Sequence, residues 1–307
     1  MTPVAPSHSP APIGVFDSGL GGLTVVRALR RHLPEESIVY FGDTARLPYG
    51  TKSPRTVLLF ARQCLQFLMQ FQPKALVVAC NTVSATAMAG LADAFPVPVI
   101  GVLEPGSQAA VLAARRQKTR GNCTIGLIAT EATIASKAYP QAIARLDRGI
   151  HLVGRACPLL VPLIEEGRPD SSPVVTAVLA DYLSPLRALN PQALILGCTH
   201  YPILDAAIAG FMGPDTELID SADQTALVVK AHLATMAAAG AGAQPPTPYN
   251  IQPAQAAAVK SGSLTCYVTD QGQRFESLAN RFLGAAIGSP VWVDPELLER
   301  PELEEKA

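Results

Sequence analysis

The sequence predicts an α/β protein made of two pseudo-symmetric parallel-sheet domains. Short apolar runs alternate with segments of helical periodicity, which is typical of βαβ units and parallel sheets. The pattern restarts midway, because Thr124–Ala129 begins much as Ile13–Phe16 does. Lys74–Thr82, KALVVACNT, and Gln192–His200, QALILGCTH, also resemble each other, and each places a cysteine at the end of an apolar run. Such repetition in the same order favours a distant internal duplication over chance similarity of two α/β units.

The elements follow from apolar runs, helical spacing and breakers such as Pro34 and Pro73. In the first unit the predicted strands are Ile13–Phe16, Ser37–Phe41, Ala75–Ala79 and Val97–Val102, and the predicted helices are Leu23–Leu33, Pro54–Phe71 and Thr82–Leu91. In the second unit the strands are Thr124–Ala129, His151–Val153, Ala193–Gly197 and Glu217–Ile219, and the helices are Ile134–Leu146, Val174–Leu189 and Ala222–Ala238. Leu264–Val268 and Val291–Val293 read as late strands that flank an Arg274–Leu283 helix.

Three segments lack such periodicity. Residues 1–11, rich in Pro and Ser, and the acidic residues 295–307 are predicted to be disordered tails. Residues 239–263, rich in Ala, Gly, Gln and Pro, are predicted to be a flexible insertion. The N-terminal segment has neither a positive region nor an apolar core, so it does not resemble a signal peptide.

The composition favours a small metabolite as the ligand over nucleic acid or a membrane. Among 307 residues the net charge is −1 and 49% are hydrophobic, which provides sizeable cores but no basic field for nucleic acid or anionic lipid. No apolar run approaches the roughly 18 residues of a membrane span. The six cysteines are scattered without a CxxC pair, which favours free thiols in a cytoplasmic protein over disulfides. The spacing of Cys198 and His200 is poor for zinc, and we predict no metal.

The paired cysteines, Cys80 and Cys198, indicate proton transfer at a carbon centre. In parallel sheets, ligands bind beyond the carboxyl ends of the strands, and Asp17, Asp43, Cys80, Cys198 and Asp220 all fall there. Inverting a carbon needs a base on one face and an acid on the other. A thiolate is a tunable base, and each cysteine precedes a predicted helix start, where free N–H groups stabilise negative charge. A single cysteine of this kind reads as a buried hydrophobe, whereas a matched pair favours function.

Polar residues beside the thiols are candidate substrate contacts. Asn81, Thr82 and Thr199 offer donors for an amino acid's charged groups, although each also suits a helix cap. The loop Asp17–Gly22 is glycine-rich but has Thr24 where a dinucleotide fingerprint needs glycine, so we interpret it as a close approach of backbone to a small ligand. Asp17 is either a loop cap or a group that meets the substrate nitrogen. His200 is a candidate acid/base partner of Cys198.

The motifs together resemble the glutamate racemase signatures of the aspartate/glutamate racemase superfamily. They are GVFDSGLGG at 14–22, GDTARLPYG at 42–50, ACNT at 79–82, GCTHYP at 197–202 and CPLLVPLIEEG at 157–167. The resemblance covers about 13–284. It departs at the N-terminal extension and at residues 239–263, neither of which touches a motif.

The resemblance implies a cofactor-independent racemase with its site in the cleft between two domains. Cys80 would take the proton from D-glutamate and Cys198 from L-glutamate. The proposed supporting residues are Asp17 on the Cys80 side and His200 and Glu165 on the Cys198 side. Substrate contacts implied by the motifs are Asp17, Ser18, Tyr49, Gly50, Asn81, Thr82, Thr199 and His200. The family also implies domains at 12–105 plus 222–290 and at 106–221, a homodimer, and D-glutamate supply for peptidoglycan.

Three alternatives stay open on the sequence. An aspartate racemase would share the chemistry but prefer a shorter side chain. A cysteine hydrolase or transferase would need one nucleophile and an oxyanion hole, and would make the second thiol dispensable. A non-catalytic binding protein would bind glutamate without exchanging its α-proton.

Overall fold

The computed structural model describes residues 11–117, 123–238 and 262–299. The strands are β1 Ile13–Asp17, β2 Ile38–Gly42, β3 Ala75–Val78, β4 Val99–Gly101, β5 Cys123–Ala129, β6 Ile150–Ala156, β7 Ala193–Gly197, β8 Glu217–Ile219, β9 Leu264–Val268 and β10 Val291–Trp292. The helices are α1 Leu23–His32, α2 Pro54–Met69, α3 Asn81–Thr86, α4 Leu103–Arg116, α5 Glu131–Ser136, α6 Ala138–Leu146, α7 Leu160–Glu165, α8 Pro173–Arg187, α9 Asp205–Met212, α10 Ser221–Ala238 and α11 Phe275–Leu283.

The strands form two parallel sheets, which confirms the predicted fold class. The first sheet has the order β10-β9-β2-β1-β3-β4 and the second the order β6-β5-β7-β8. Within the first sheet, β2-β1-β3-β4 repeats the order of the whole second sheet, so the two are related strand for strand. We call β1–β4 with α1–α3 the first unit and β5–β8 with α5–α9 the second unit. The strands that carry the two cysteines, β3 and β7, hold equivalent positions beside the first strands β1 and β5.

Burial explains why the central strands are continuously apolar. Every residue of β1, β2, β3 and β7 is buried, as expected for parallel strands with both faces covered. Gly42, at the end of β2, allows the loop after β1 to approach closely, because a Cβ there would lie 2.3 Å from the carbonyl oxygen of Gly19. The same loop is held by the hydroxyl of Tyr40, which donates to that carbonyl oxygen over 2.7 Å. The polar loop that follows β1 is therefore fixed by the sheet itself.

After β8 the chain returns to the first sheet. β9 pairs with β2, and β10 pairs with β9, so the late strands extend the first sheet at its β2 edge. Helix α10 makes this return, and it contacts both α1 and α4. The predicted boundaries near residues 105 and 221 remain a proposal, with α4 and α10 as the elements that join the two units.

Several predicted helices differ from those in the structure. The single helix expected over Ile134–Leu146 is two helices, α5 and α6, because Lys137 takes a left-handed conformation with φ 59°. The helix expected over Thr82–Leu91 ends at Thr86 and continues as a 3₁₀ turn at Met88–Gly90. Helices α4, α7 and α9 were not predicted. In α4 the apparent breaker Pro105 lies in the first turn, where its missing N–H has no intrahelical acceptor.

The three segments predicted to be unstructured lie largely outside the described residues. Residues 1–10 of the N-terminal tail, 239–261 of the insertion and 300–307 of the C-terminal tail are not among them. The prediction of a frayed tail from Pro295 is corrected for its first residues: Pro295–Leu298 forms a 3₁₀ turn, and Leu298 is buried against the first-sheet core. At the end of the predicted insertion, the carbonyl oxygen of Ser263 accepts a hydrogen bond from the Ile38 N–H over 2.9 Å.

Across the described residues, every helix falls short of the length and apolarity that a membrane crossing requires.

Candidate active site

The two paired cysteines end equivalent strands of the two sheets. Cys80 lies two residues after the end of β3 and occupies the N-cap position of α3, as predicted. Cys198 directly follows β7, but Thr199, His200 and a 3₁₀ turn at Tyr201–Leu204 separate it from α9, so the helix start expected there lies further on. Both thiols are nearly inaccessible, with residue exposures of 5% and 7%. Each is thus a buried thiol at the carboxyl end of a strand.

The Cys80 side is built from the loop after β1. The Cys80 thiol donates to the Ser18 hydroxyl over 3.4 Å. Asp17 is fully buried, and its Oδ2 accepts a hydrogen bond from the Gly19 N–H over 3.0 Å, while its Oδ1 has no hydrogen-bond partner among the described residues. Burial raises the pKa of Asp17, against the lowering effect of His200 and backbone N–H groups. The free carboxylate oxygen makes Asp17 a ready acceptor for a cationic or N–H-bearing ligand.

The Cys80 thiol strongly prefers to keep its proton. Burial, followed by the negative charge of Asp17, raises the pKa of Cys80 to about 12, while the Ser18 hydroxyl and the Val83 N–H oppose the rise. Cys80 therefore suits the role of proton donor at neutral pH. A nearby cation, such as a substrate ammonium, would be needed to make its thiolate accessible.

The Cys198 side carries a hydrogen-bonded chain of three residues. His200 Nδ1 lies 3.8 Å from the Cys198 sulfur, and its Nε2 lies 3.1 Å from Oε1 of Glu165 at the end of α7. Burial lowers the pKa of His200, but its hydrogen bonds to Cys198 and Glu165 outweigh this and raise the pKa to about 10. His200 is thus an imidazolium at neutral pH, and it places a positive charge beside the Cys198 sulfur.

The two sides belong to one site because the units touch at the cysteine loops. A Cβ on Gly21 would lie 2.3 Å from Thr199 Oγ1 and 2.6 Å from His200 Nδ1, so only glycine allows this approach. The hydroxyl of Thr24 donates to the carbonyl oxygen of Thr199 over 3.5 Å. Electrostatics agree: a charge on Cys198 raises the pKa of Cys80, and His200 lowers the pKa of Asp17.

The predicted contacts Asn81 and Thr82 bridge to the second unit through residues that the sequence did not single out. Asn81 Oδ1 accepts a hydrogen bond from the hydroxyl of Tyr139 over 2.7 Å. Thr82 Oγ1 lies 3.0 Å from Oγ1 of Thr130, the N-cap of α5. Thr130 directly follows β5, just as Asp17 ends β1. The rule that ligands bind beyond the carboxyl ends of parallel strands could therefore have found Thr130. Nothing in the sequence around Tyr139 could have done so.

The predicted contacts Tyr49 and Gly50 play different parts. The Tyr49 hydroxyl donates to Oδ2 of Asp43, which also accepts from Arg46 Nε over 2.7 Å. The Tyr49 side chain is buried, and its one hydroxyl proton is already committed to Asp43. A Cβ on Gly50 would lie 2.9 Å from Thr130 Cβ, so this glycine brings the loop of the first unit against the second.

Asp220 lines an open crevice of about 470 Å³ with Arg27 and Asp205, and neither Cys80 nor Cys198 lines this crevice. The other four cysteines are buried, as expected for structural residues, and Cys157 is near enough to Cys198 for the two thiols to interact electrostatically. Among the described residues, no three His, Cys, Asp or Glu side chains gather closely enough to hold a metal ion.

We expect Gly21→Ala to lower activity strongly without unfolding the protein. The added methyl must displace Thr199 or His200, and misplacing a reacting group by about 1 Å can cost about 100-fold in rate. Gly210→Ala is the matched control, because a Cβ there meets nothing within 4 Å and alanine favours the α9 helix. Steady-state kinetics and thermal unfolding of both variants test this. Equal activity of the two would contradict the close approach.

Comparison with known proteins agrees with this geometry. A family model described as Asp/Glu/Hydantoin racemase matches residues 23–231. The chain belongs to the Asp/Glu/hydantoin racemase family. Within this family, the glutamate racemase of Geobacter metallireducens is 41% identical over 284 residues, covering 92% of this chain and 97% of that protein. The glutamate racemase of Syntrophus aciditrophicus is 42% identical, with 90% and 94% covered.

Solved structures of racemases share the fold. The glutamate racemase of Francisella tularensis in complex with D-glutamate is 39% identical with a TM-score of 0.76, covering 93% of this chain and 98% of that one. The glutamate racemase of Thermus thermophilus in complex with β-chloro-D-alanine is 42% identical with a TM-score of 0.74, covering 94% and 99%. An allantoin racemase from Pseudomonas fluorescens, at 16% identity and a TM-score of 0.51, shares the fold alone.

Proposed function

We propose that this protein is a cofactor-independent glutamate racemase that interconverts L- and D-glutamate by proton transfer between Cα and two thiols. The observation that carries the proposal is the pair of buried cysteines at equivalent strand ends, each with its own polar partner and electrostatically coupled to the other. Relatives at 41–42% identity over nearly the whole chain carry the glutamate racemase name, and this supports glutamate as the substrate.

The positive charge on His200 and the proton on Cys80 support a reaction that starts from L-glutamate. Cys198, beside the His200 imidazolium, acts as thiolate and removes the α-proton, while the Cys80 thiol delivers its own proton to the opposite face. The cycle ends with Cys198 as thiol and Cys80 as thiolate, and this form accepts D-glutamate and runs the reverse reaction. No proton is gained or lost overall.

The neighbouring side chains support binding of the amino acid's charged groups. Asp17, with its free Oδ1 near Cys80, is assigned to the substrate ammonium, which would also ease formation of a thiolate at Cys80. Ser18, Asn81, Thr82 and Thr199, all buried beside the two thiols, are assigned to the substrate's remaining polar atoms, with the backbone at Tyr49 and Gly50. Glu165 is assigned to orienting His200 and keeping it protonated.

The proposal also covers the enzyme's location, its oligomeric state and its role in the cell. We place the enzyme in the cytoplasm as a homodimer that supplies D-glutamate for peptidoglycan, as the resemblance implies. Sedimentation of the purified protein tests the dimer.

The test of function is circular dichroism of L- and D-glutamate, each incubated with purified protein and no added pyridoxal phosphate. We expect both solutions to converge on zero ellipticity, at a rate unaffected by hydroxylamine, which traps carbonyl cofactors. Aspartate in place of glutamate should racemise far more slowly. Glutamate that binds but keeps its optical rotation would instead identify a binding protein, and preferential turnover of aspartate would overturn the substrate assignment.

A further inference from the structure

The hydroxyl of Tyr139 joins the two units at Asn81, the residue that follows Cys80 in the chain. Tyr139 lies on α6 of the second unit and is fully buried. Its hydroxyl donates to Oδ1 of Asn81 over 2.7 Å, and Asn81 is the first residue of α3, next to Cys80 in the chain. A contact between these two side chains therefore links the thiol-bearing loop of one unit to a helix of the other.

The direction of this hydrogen bond fixes the Asn81 amide. Burial raises the pKa of Tyr139 above its ordinary value, so the phenol keeps its proton and donates it. With Oδ1 occupied, the amide presents its NH₂ group as the half that remains for other partners. Asn81 is itself buried, with 4% exposure, so a flipped amide would face a strong penalty.

Tyr139 also lies close to the helices that join the units. The hydroxyl of Ser221, the first residue of α10, is close enough to lower the pKa of Tyr139 against the effect of burial. Ser221 is packed against α4, where a Cβ on Gly106 would lie 2.3 Å from Ser221 Oγ. Tyr139 therefore lies near α10, which packs against α4, and these are the two helices that join the units.

We propose that Tyr139 is a positioning residue, whose hydroxyl holds the Asn81 amide and the adjacent Cys80 thiol in place relative to the unit that carries Cys198. This inference rests on the proposed racemase function. The two thiols come from different units, so their alignment on one carbon depends on contacts across the junction, and the Tyr139–Asn81 hydrogen bond is the one nearest to Cys80 in sequence.

The test is Tyr139→Phe, measured in both directions with α-protiated and α-deuterated glutamate. We expect kcat/KM to fall about 10-fold, as for one lost buried hydrogen bond near the reacting centre. The isotope effect should rise with D-glutamate, because Cys80 breaks the C–H bond there. It should fall with L-glutamate, because Cys198 breaks the bond and the slowed Cys80 step comes later. A purely structural role would leave both isotope effects unchanged.

Tyr182→Phe is the matched control. The Tyr182 hydroxyl accepts a hydrogen bond from the Leu159 N–H within the second unit, and we expect wild-type isotope effects without it. If Tyr139→Phe does not fold, p-methylphenylalanine at position 139 preserves the shape without the donor and should show the same isotope pattern. Wild-type isotope effects in an active Tyr139 variant would overturn this inference alone, whereas a wild-type protein without racemisation would overturn the proposed function instead.

Discussion

Cys80→Ala is expected to lose racemisation by at least about 1,000-fold, the upper part of the range for a general acid/base group, while still exchanging the α-proton of L-glutamate with solvent. The reason is that Cys198 and its His200 partner remain intact and can remove and return a proton on their own face. Cys198→Ala should show the mirror result, with exchange confined to D-glutamate. Proton NMR in deuterated buffer follows both reactions.

Cys266→Ala is the control for these two variants. Cys266 is equally buried but lies on β9, away from the cysteine loops, and its replacement should leave racemisation intact. A Cys80 or Cys198 alanine variant that still racemises at a substantial rate would rule out the pair of thiols as the two bases.

Glu165→Gln is expected to move the alkaline limb of the pH–rate profile to lower pH. His200 has a pKa raised to about 10, so it stays protonated through neutral pH, and activity that depends on the imidazolium falls only as the pH rises through that value. Removing the Glu165 charge removes one of the two interactions that raise this pKa. Because the Glu165 side chain is 38% exposed, we expect a shift of only about one pH unit.

The effect should depend on direction as well as on pH. With L-glutamate the Glu165→Gln enzyme should be nearly equal to wild type at pH 7, about 2-fold slower at pH 9 and about 5-fold slower at pH 10. Glu166→Gln is the matched control, since the neighbouring carboxylate pairs with Arg168 on the surface instead. An unchanged alkaline limb in Glu165→Gln would contradict the claim that Glu165 raises the pKa of His200.

The paired thiols could be found from sequence because they follow a simple rule. Parallel strands end at one edge, and each half of the duplication delivers its cysteine there, so β3 and β7 and their following residues were predictable from short-range pattern alone. The same rule grouped Asp220 with the thiols, but Asp220 follows the edge strand β8 and lines a crevice that neither thiol lines. Position within the sheet, which no local pattern encodes, made the difference.

The contact of Tyr139 across the junction was not predictable. Tyr139 contacts Asn81 from α6, which begins just after the break at Lys137, where the sequence reads as one continuous helix. Tyr49 illustrates the converse: its motif marks it as a substrate contact, whereas tertiary packing commits its hydroxyl to Asp43. The link from His200 to Glu165 spans 35 positions and came from the resemblance, not from spacing.

The most direct test of the two-thiol mechanism is turnover of L-glutamate in deuterated water, stopped at low conversion. The mechanism predicts that the D-glutamate formed carries deuterium at Cα while the remaining L-glutamate keeps its protium, because different groups remove and deliver the proton. Protium retained in the product, or deuterium appearing equally in the remaining substrate, would contradict it.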